Sequence, residues 1–271
     1  MTGSAPVASL EGWTKSSFTG GGLTHDVYEK GTGPGVVLIP EIPGLTPEVL
    51  GLAQHLVLSG FTVAVPSPFG TPGREGTMGY TLRIVTRVCV SAEFRAFALN
   101  AHRPITDFLR AVAADLAART PGRGVGVIGM CFTGGFALAT AIEESVLASV
   151  LSQPAVPFPT SRARRLDPGA SGDEMDAIAA RTGKDGLCLL GLRFSEDASA
   201  PRSRFAAIKE KLGDAFEVIE LDSSTGNAGG YSKGAHSVLT NEVRESPPNS
   251  AFETREHVVE FLRKNINRKT D

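Results

Sequence analysis

Cys131 is a candidate nucleophile because of the residues around it. It lies in the segment Gly-Val-Gly-Val-Ile-Gly-Met-Cys-Phe-Thr-Gly-Gly, from Gly124 to Gly135. An apolar run of strand length ends at Gly129, a tight turn carries the cysteine, and a helical pattern follows. This order is typical of a nucleophile elbow, which lifts the nucleophile above the strand ends at a helix N-terminus. There the helix dipole favours a thiolate. The pattern predicts Cys131 as the nucleophile, with the Phe132 N–H facing a developing oxyanion.

Cys131 has two other interpretations. It could be a buried structural cysteine after a strand, or its glycines could belong to a dinucleotide-binding turn. The glycines lie within the strand and not in a G-x-G-x-x-G turn, which disfavours the dinucleotide site. The usual serine pattern G-x-S-x-G does not occur in the chain. Cys131 is therefore the one nucleophile candidate in an elbow setting.

A nucleophile of this kind needs a base that is oriented by an acid. After an elbow, the chain order is nucleophile, acid, histidine. Only His236 and His257 follow Cys131. His236 lies in a loop after the last expected strand, whereas His257 lies among charged residues of the C-terminal helix. We therefore expect His236 to be the base.

The acid is expected in the loop Phe194-Ser195-Glu196-Asp197-Ala198, which follows an apolar strand. Asp197 is the first choice. Glu196 is its neighbouring rival, and Asp222, after the next strand, is a weaker one. Asp197 could instead serve only to cap the start of the next helix, a position that favours aspartate.

The elements that must position these residues alternate along the chain. Short apolar runs predict strands, and segments with helical spacing lie between them. Such alternation predicts an α/β fold with a mostly parallel sheet and helices on both faces. The strands are expected at 35–40, 61–66, 124–129, 145–152, 186–192 and 216–222, and the helices at 47–59, 81–99, 104–120, 136–144, 201–212 and 251–264.

Composition bounds the function classes. The 271 residues, 41% of them hydrophobic, are expected to form a single domain over 1–271, with frayed ends at about 1–10 and 265–271. The net charge of −2 gives the protein no overall electrostatic attraction for nucleic acid or for an anionic membrane. No apolar run approaches the length of a membrane span. We therefore expect neither nucleic-acid nor membrane partners.

The three cysteines, Cys89, Cys131 and Cys188, lie far apart and form no CxxC pair. A disulfide framework or zinc site is therefore not expected. The N-terminus has no secretory signal pattern. Together these features predict reduced thiols and a cytoplasmic location.

Taken together, the motifs resemble the dienelactone hydrolase family of α/β hydrolases, over roughly Gly35 to Lys264. The resemblance rests on four segments in the family's order: Pro40-Glu41-Ile42-Pro43-Gly44, the Cys131 elbow, Asp197 with Pro201 four residues later, and Gly234-Ala235-His236-Ser237. It implies an α/β-hydrolase fold, a Cys-Asp-His triad and no metal or organic cofactor.

The resemblance also implies roles for Glu41 and Ile42. The family's glutamate interacts with the resting cysteine and controls when the thiolate forms. Physically, a carboxylate beside a thiol disfavours the thiolate, because both groups are negatively charged. The alternative for Glu41 is an exposed loop glutamate. The Ile42 N–H would be the second oxyanion donor. Tyr231, close to His236 in the sequence, could line the substrate pocket.

The chain departs from the family pattern at several places. Thr133 stands where the elbow usually has glycine, and no arginine follows His236 closely, although family enzymes bind a substrate carboxylate with arginines. Which arginine would do so here stays open; Arg83, Arg87 and Arg95 are candidates. The segment 154–184 resembles an insertion. We expect it to be a solvated loop whose arginines face water.

The expected activity is hydrolysis of a small ester or lactone through a thioester acyl-enzyme. Two alternatives stay open. One is a broad carboxylesterase with promiscuous phosphoester activity, and the other is a hydrolase-fold thiol sensor or binding protein that turns nothing over. The sequence does not fix the natural substrate or the oligomeric state.

Overall fold

The structure is a computed structural model that describes residues 4–245 and 249–267. Its strands are β1 Thr14–Gly20, β2 Leu23–Lys30, β3 Gly35–Ile39, β4 Thr62–Ser67, β5 Val125–Met130, β6 Val146–Ser152, β7 Cys188–Phe194 and β8 Phe216–Leu221. Its helices are α1 Pro47–Leu58, α2 Met78–Val90, α3 Pro104–Arg119, α4 Gly134–Thr140, α5 Arg162–Leu166, α6 Gly172–Lys184, α7 Arg202–Leu212 and α8 Ser250–Ile266.

All eight strands form one sheet in the order β1-β2-β4-β3-β5-β6-β7-β8. The strands from β3 to β8 pair in parallel, and β1 and β2 add an antiparallel hairpin at one edge. The predicted α/β class with a mostly parallel sheet is confirmed. Because the strands are parallel, the loops that leave β3, β5, β6 and β7 emerge at the same edge of the sheet.

The core lies on both faces of the sheet, because successive side chains of a strand point to opposite faces. In β3, Val37 and Ile39 pack into one apolar cluster, while Val36 and Leu38 pack into the other. The first cluster is covered by α3 and α4, and the second by α1 and α8. Strands buried on both faces read as continuous apolar runs, which is why the sequence located them.

Two regions differ from the expectations. The β1–β2 hairpin was not predicted, since its mostly polar residues carry no apolar run. The helix expected over 81–99 is wrong in its extent, because α2 ends at Val90. Beyond it, Phe94 and Ala96 turn into the core, with Arg95 between them at a φ of 45°. Packing of Phe94 against Phe69 and Phe132 thus overrides the helical pattern.

The expected fraying concerns 1–10 and 265–271, of which 1–3 and 268–271 lie outside the described residues. Within the described part, the Ala8 N–H donates to the Pro47 carbonyl, and Ala8 and Leu10 pack against the core. At the other end, Asn265 and Ile266 are buried in the last turn of α8. Within the described residues, these contacts join both ends to the body of the protein.

The segment after β6 is anchored by one buried arginine. The Arg204 side chain of α7 is fully buried and donates to the carbonyls of Pro154, Pro157, Arg164 and Asp167. This segment includes α5, and α6 follows it, so the stretch that was expected to be a solvated loop packs against the body of the protein. No helix among the described residues is both long and apolar enough to cross a membrane.

Candidate active site

Cys131 lies in the turn between β5 and α4, at the carboxyl edge of the sheet. Its φ is +52°, in the left-handed region that residues other than glycine rarely adopt. A single turn of 3-10 helix, Cys131–Thr133, continues into α4. A backbone outlier of this kind at the end of a central strand is the geometry of a nucleophile elbow.

Glycines let the backbone close around this turn. A Cβ added to Gly129 would lie 2.4 Å from the Thr133 carbonyl oxygen, and one added to Gly134 would lie 2.7 Å from the Pro154 Cα. Both contacts are with backbone, which cannot move aside cheaply. The small residues around Cys131 are therefore required by close packing.

Thr133 fits where the family usually has glycine because its φ is −100°, an ordinary value for a side chain. Its buried hydroxyl accepts the Met130 N–H at 3.0 Å and lies 3.1 Å from the Ile39 carbonyl oxygen, to which it can donate. The threonine thus joins the ends of β5 and β3, and it places Cys131 beside the segment that carries Glu41.

We expect Gly129→Ala to destabilise the fold by about 1–3 kcal/mol, the usual cost of overpacking a tight core. The free energy of unfolding from urea denaturation measures this. Gly183→Ala is the matched control, because Gly183 lies in α6 with open space around its Cα. The control should be stabilised by about 0.4–1 kcal/mol, since alanine lowers the entropy of the unfolded chain. Equal effects of the two substitutions would contradict the close packing at the elbow.

His236 and Asp197 lie together. The His236 Nδ1 is 2.7 Å from Asp197 Oδ2, and Asp197 is only 6% exposed. Asp197 Oδ1 accepts the N–H groups of Ser199 and Ala200 at 2.9 and 3.3 Å. The aspartate therefore caps the turn before α7 and also orients the histidine. With Nδ1 bound to the carboxylate, Nε2 is the ring nitrogen left for Cys131.

Burial lowers the pKa of His236, but its pairing with Cys131 and Asp197 outweighs burial and raises that pKa to about 11. The imidazole therefore interacts electrostatically with both Cys131 and Asp197. The raised pKa favours the imidazolium form of His236.

The rival residues lie elsewhere. The Glu196 N–H donates to Ser223, and the Asp222 carboxylate accepts the Ser224 N–H at the surface. His257 pairs with Glu217 on α8 and β8. None of the three contacts His236 in the part of the chain that the structure describes.

Glu41 directly follows Pro40 at the end of β3 and is 5% exposed, which contradicts the alternative of an exposed loop glutamate. Its carboxylate accepts hydrogen bonds from Thr240 Oγ1, from Ser237 Oγ at 3.0 Å and from Gln153 Nε2 at 3.3 Å. Burial raises the pKa of Glu41, and these donors together with His236 partly oppose that rise.

The two expected oxyanion donors both lie in tight turns that follow strands of the sheet. Phe132 is the second residue of the turn that Cys131 begins, and N–H groups in a first helical turn lack an intrahelical acceptor. Ile42 follows Glu41 in a turn closed by a 2.8 Å bond from the Gly44 N–H to the Glu41 carbonyl. The Ile42 and Cys131 side chains are both half-buried against the same apolar cluster.

Tyr231, expected to line the substrate pocket, is a buried residue whose ring and hydroxyl both contact other parts of the protein. Its ring is buried against Phe194, with centroids 4.8 Å apart. Its hydroxyl accepts the Ala251 N–H at 2.9 Å and bonds Ser250. These contacts fix the loop after β8 to the start of α8, so they give Tyr231 a structural role.

Sequence reasoning missed Gln153, Ser237 and Thr240, the three partners of Glu41. A usable signal existed for two of them, because Ser237 and Thr240 follow His236 closely in the sequence. Gln153 had a weaker signal, since it comes directly after β6 at the same edge of the sheet as Cys131.

Two of the arginines considered for substrate binding donate hydrogen bonds to backbone carbonyls. Arg244 donates to the Asn241 and Val243 carbonyls, and Arg95 donates to the His102 carbonyl. Arg83 and Arg87 line a separate cavity of 430 Å³ together with Arg74 and Tyr80. Among the described residues, no group of three or more His, Cys, Asp or Glu side chains is arranged to hold a metal ion.

A mostly parallel sheet with a nucleophile-type turn after its central β5 strand, and an acid and a histidine on later loops of the same edge, defines an α/β hydrolase. Residues 24–262 match the model of the Dienelactone hydrolase family. The chain belongs to this family.

Solved structures agree on the fold. The dienelactone hydrolase of Anabaena variabilis ATCC 29413 is 13% identical with a TM-score of 0.59, over 94% of this chain and 98% of that one. The dienelactone hydrolase-like promiscuous phosphotriesterase P91 from metagenomic libraries is 16% identical with a TM-score of 0.62, over 94% and 98%. The Pyrococcus furiosus esterase Pf2001 is 13% identical with a TM-score of 0.57, over 94% and 93%. No curated protein sequence matches the chain.

Proposed function

We propose that the protein hydrolyses small carboxylic esters or lactones, with Cys131 as nucleophile, His236 as general base and acid, and Asp197 as the group that orients His236. The observation that carries the proposal is the triad geometry. Cys131 lies in a left-handed turn and helps to raise the pKa of His236, whose Nδ1 is 2.7 Å from Asp197 Oδ2. Membership of a hydrolase family supports the same conclusion.

Acylation begins when His236 holds the proton of Cys131 and the thiolate sulfur attacks the carbonyl carbon. The carbonyl oxygen becomes an oxyanion, which the N–H groups of Phe132 and Ile42 stabilise. When the tetrahedral intermediate collapses, the carbon–oxygen bond to the leaving group breaks. His236 gives its proton to the departing alkoxide, and a thioester on Cys131 remains.

Deacylation reverses these roles. His236 takes a proton from water, the hydroxide attacks the thioester carbonyl, and the thiolate leaves as the carboxylic acid is released. Asp197 stabilises the imidazolium in both half-reactions and keeps the ring in one orientation. Esters and lactones suit this site better than amides, because an amine leaves so poorly that the thiolate would be expelled instead.

A covalent intermediate is the direct test. We expect the wild-type enzyme to turn over p-nitrophenyl acetate many times, and rapid acid quenching followed by peptide mass spectrometry should find the acetyl group on Cys131. Release of a single equivalent of p-nitrophenol without turnover would instead support a thiol sensor. An acetyl group on Cys89 or Cys188 would contradict the assignment of the nucleophile.

The breadth of substrates is a second question. The half-buried Ile42 and Phe158 pack against the same apolar cluster as Cys131, which favours neutral substrates with apolar groups. A broad carboxylesterase with promiscuous phosphoester activity is therefore the second candidate, and P91 is described as a phosphotriesterase within this fold. Comparing kcat/KM for a carboxylate-bearing dienelactone with that for a neutral aryl ester distinguishes the two. We also propose a cytoplasmic location, where cysteine thiols stay reduced.

A further inference from the structure

Three phenylalanine rings in mutual contact run outward from the elbow. Phe132 follows Cys131 in the chain, and its ring centroid lies 6.3 Å from that of Phe158. The Phe158 centroid in turn lies 5.5 Å from that of Phe97. Exposure rises along this series, because Phe132 is buried, Phe158 is half-buried and Phe97 is 47% exposed. The three rings therefore form one aromatic surface that leads from the elbow to solvent.

Phe158 is held close to the nucleophile by the main chain around it. Three residues before it, the Ala155 N–H donates to the Cys131 carbonyl at 2.8 Å. One residue before it, the Pro157 carbonyl accepts a hydrogen bond from the buried Arg204. Three residues of chain span at most about 10 Å, so Phe158 cannot lie far from Cys131. Both side chains also pack against the same apolar cluster.

Phe97 is joined to the segment that carries Phe158 by one arginine. Arg164 of α5 donates to the Phe97 carbonyl at 3.3 Å and to the Thr160 hydroxyl at 2.9 Å. Its guanidinium carbon lies 5.8 Å from the centroid of the Phe97 ring. On the other side, Arg103 donates to the Ala98 carbonyl at 3.0 Å. The backbone next to Phe97 is thus fixed, although its ring faces water.

A contiguous apolar surface beside a nucleophile is typical of a substrate-binding site, which is mostly apolar with a few polar groups that fix orientation. Aromatic rings also pack well against one another, with centroids about 4.5–7 Å apart. A flat ring of a substrate could extend the series from Phe132 to Phe97 without any rearrangement of the backbone. It would cover apolar surface of Phe158 and Phe97 that water otherwise contacts.

From this geometry we propose that Phe158 and Phe97 are specificity-determining residues. They form an aromatic wall beside Cys131 that selects esters with a flat apolar ring close to the reacting carbonyl. The proposal rests on the proposed function and names a substrate class for the same site. Removal of apolar surface from water stabilises the complex of such an ester, so the selection is expected in kcat/KM.

The first experiment compares two pairs of esters whose members differ in the ring. Ethyl phenylacetate and ethyl butyrate place the difference in the acyl group, and benzyl acetate and butyl acetate place it in the alcohol. After correction for intrinsic alkaline hydrolysis, wild type is expected to prefer the ring ester in at least one pair by about tenfold or more. Phe158→Ala should abolish most of that preference. The absence of a preference in both pairs would overturn the proposal.

Phe97→Ala is the second variant, and it carries the test if Phe158→Ala fails to fold, because the Phe97 ring lies at the surface. It should lower the preference by about threefold, since about half of that ring already contacts water. Phe158→Tyr keeps the ring and should keep the preference. An undiminished preference in both alanine variants would contradict the aromatic wall.

The matched control is Phe252→Ala. Phe252 is also half-buried and also has an arginine over its ring, with the Arg255 guanidinium carbon 5.2 Å from the centroid. It lies on α8 and packs against the other apolar cluster, across the sheet from the Cys131 cluster. The control should leave the ring preference unchanged. An equal loss in Phe252→Ala and Phe158→Ala would overturn the proposal.

The second experiment needs no turnover. It compares the rates at which 2-chloroacetophenone and chloroacetone alkylate Cys131, two reagents that differ in a phenyl and a methyl group. Peptide mass spectrometry identifies the modified residue, and N-acetylcysteine gives the intrinsic ratio of the two rates. We expect the ratio at Cys131 to exceed the intrinsic ratio by about tenfold and to fall toward it in Phe158→Ala.

The two experiments separate the two proposals. Failure of the hydrolase proposal would appear as no ester hydrolysis by wild type, while the alkylation ratio could still show the aromatic wall. Failure of the aromatic wall would appear as an alkylation ratio at Cys131 equal to that of N-acetylcysteine, whether or not esters are hydrolysed.

Discussion

Replacing Cys131 with alanine is expected to lower kcat/KM for an activated ester by about 10⁴-fold or more, to the residual level that binding and an oxyanion hole alone provide. The cause is loss of the sulfur that forms the thioester. His236 and Asp197 would remain in place, because alanine removes only a half-exposed atom at the turn. Steady-state hydrolysis of p-nitrophenyl acetate measures the change, with circular dichroism to show that the variant is folded.

Cys89→Ala and Cys188→Ala are the matched controls, since both are partly buried cysteines away from the elbow. They should keep turnover within about twofold of wild type, as substitutions outside a site usually do. If Cys131→Ala retained full turnover, the nucleophile assignment and the elbow argument would both be wrong.

The second large effect is expected for Asp197→Asn, which should lower kcat by about 10³- to 10⁴-fold while leaving KM nearly unchanged. The asparagine Oδ1 can still accept the Ser199 and Ala200 N–H groups, which fixes the amide and turns its NH₂ toward His236 Nδ1. Nδ1 must then accept, so the ring proton moves to Nε2. The imidazole can no longer take the proton of Cys131.

The pH profile separates this explanation from simple unfolding. Asp197 raises the pKa of His236 through its hydrogen bond and its charge, so its removal lowers that pKa from about 11. The alkaline limb of the kcat/KM profile should therefore move to lower pH. Glu196→Gln changes the neighbouring carboxyl and should leave the limb in place. A shift of equal size in both variants would contradict the role of Asp197.

Much of the fold could be predicted because it depends on local patterns. The strands β3 and β5 contain only apolar residues and glycine, and Thr46 with Pro47 marks the start of α1 through a capping hydroxyl and a proline at the first helical position. The end of α2 and the β1–β2 hairpin could not be predicted. Both depend on tertiary contacts, such as those of Phe94, that leave no periodic trace in the sequence.

The same distinction applies to the candidate site. Cys131, Asp197 and His236 stand out because a turn motif and a chain order single them out. The hydrogen bonds to Glu41 could not be predicted in this way. They depend on where Gln153 and Thr240 meet the carboxylate in space and on a backbone angle at Gln153. Hydrogen-bond partners that come from distant loops carry no spacing that a single sequence could reveal.

The buried Arg204 has a consequence for protein engineering. It binds only main-chain carbonyls of the segment after β6, so the anchor does not depend on which side chains that segment carries. Solvent-facing positions there, such as Thr160 and Arg162, could therefore be randomised while the segment keeps its path beside the nucleophile. Residues 158–165 are accordingly a suitable target for a library that selects for altered substrate preference in a stable scaffold.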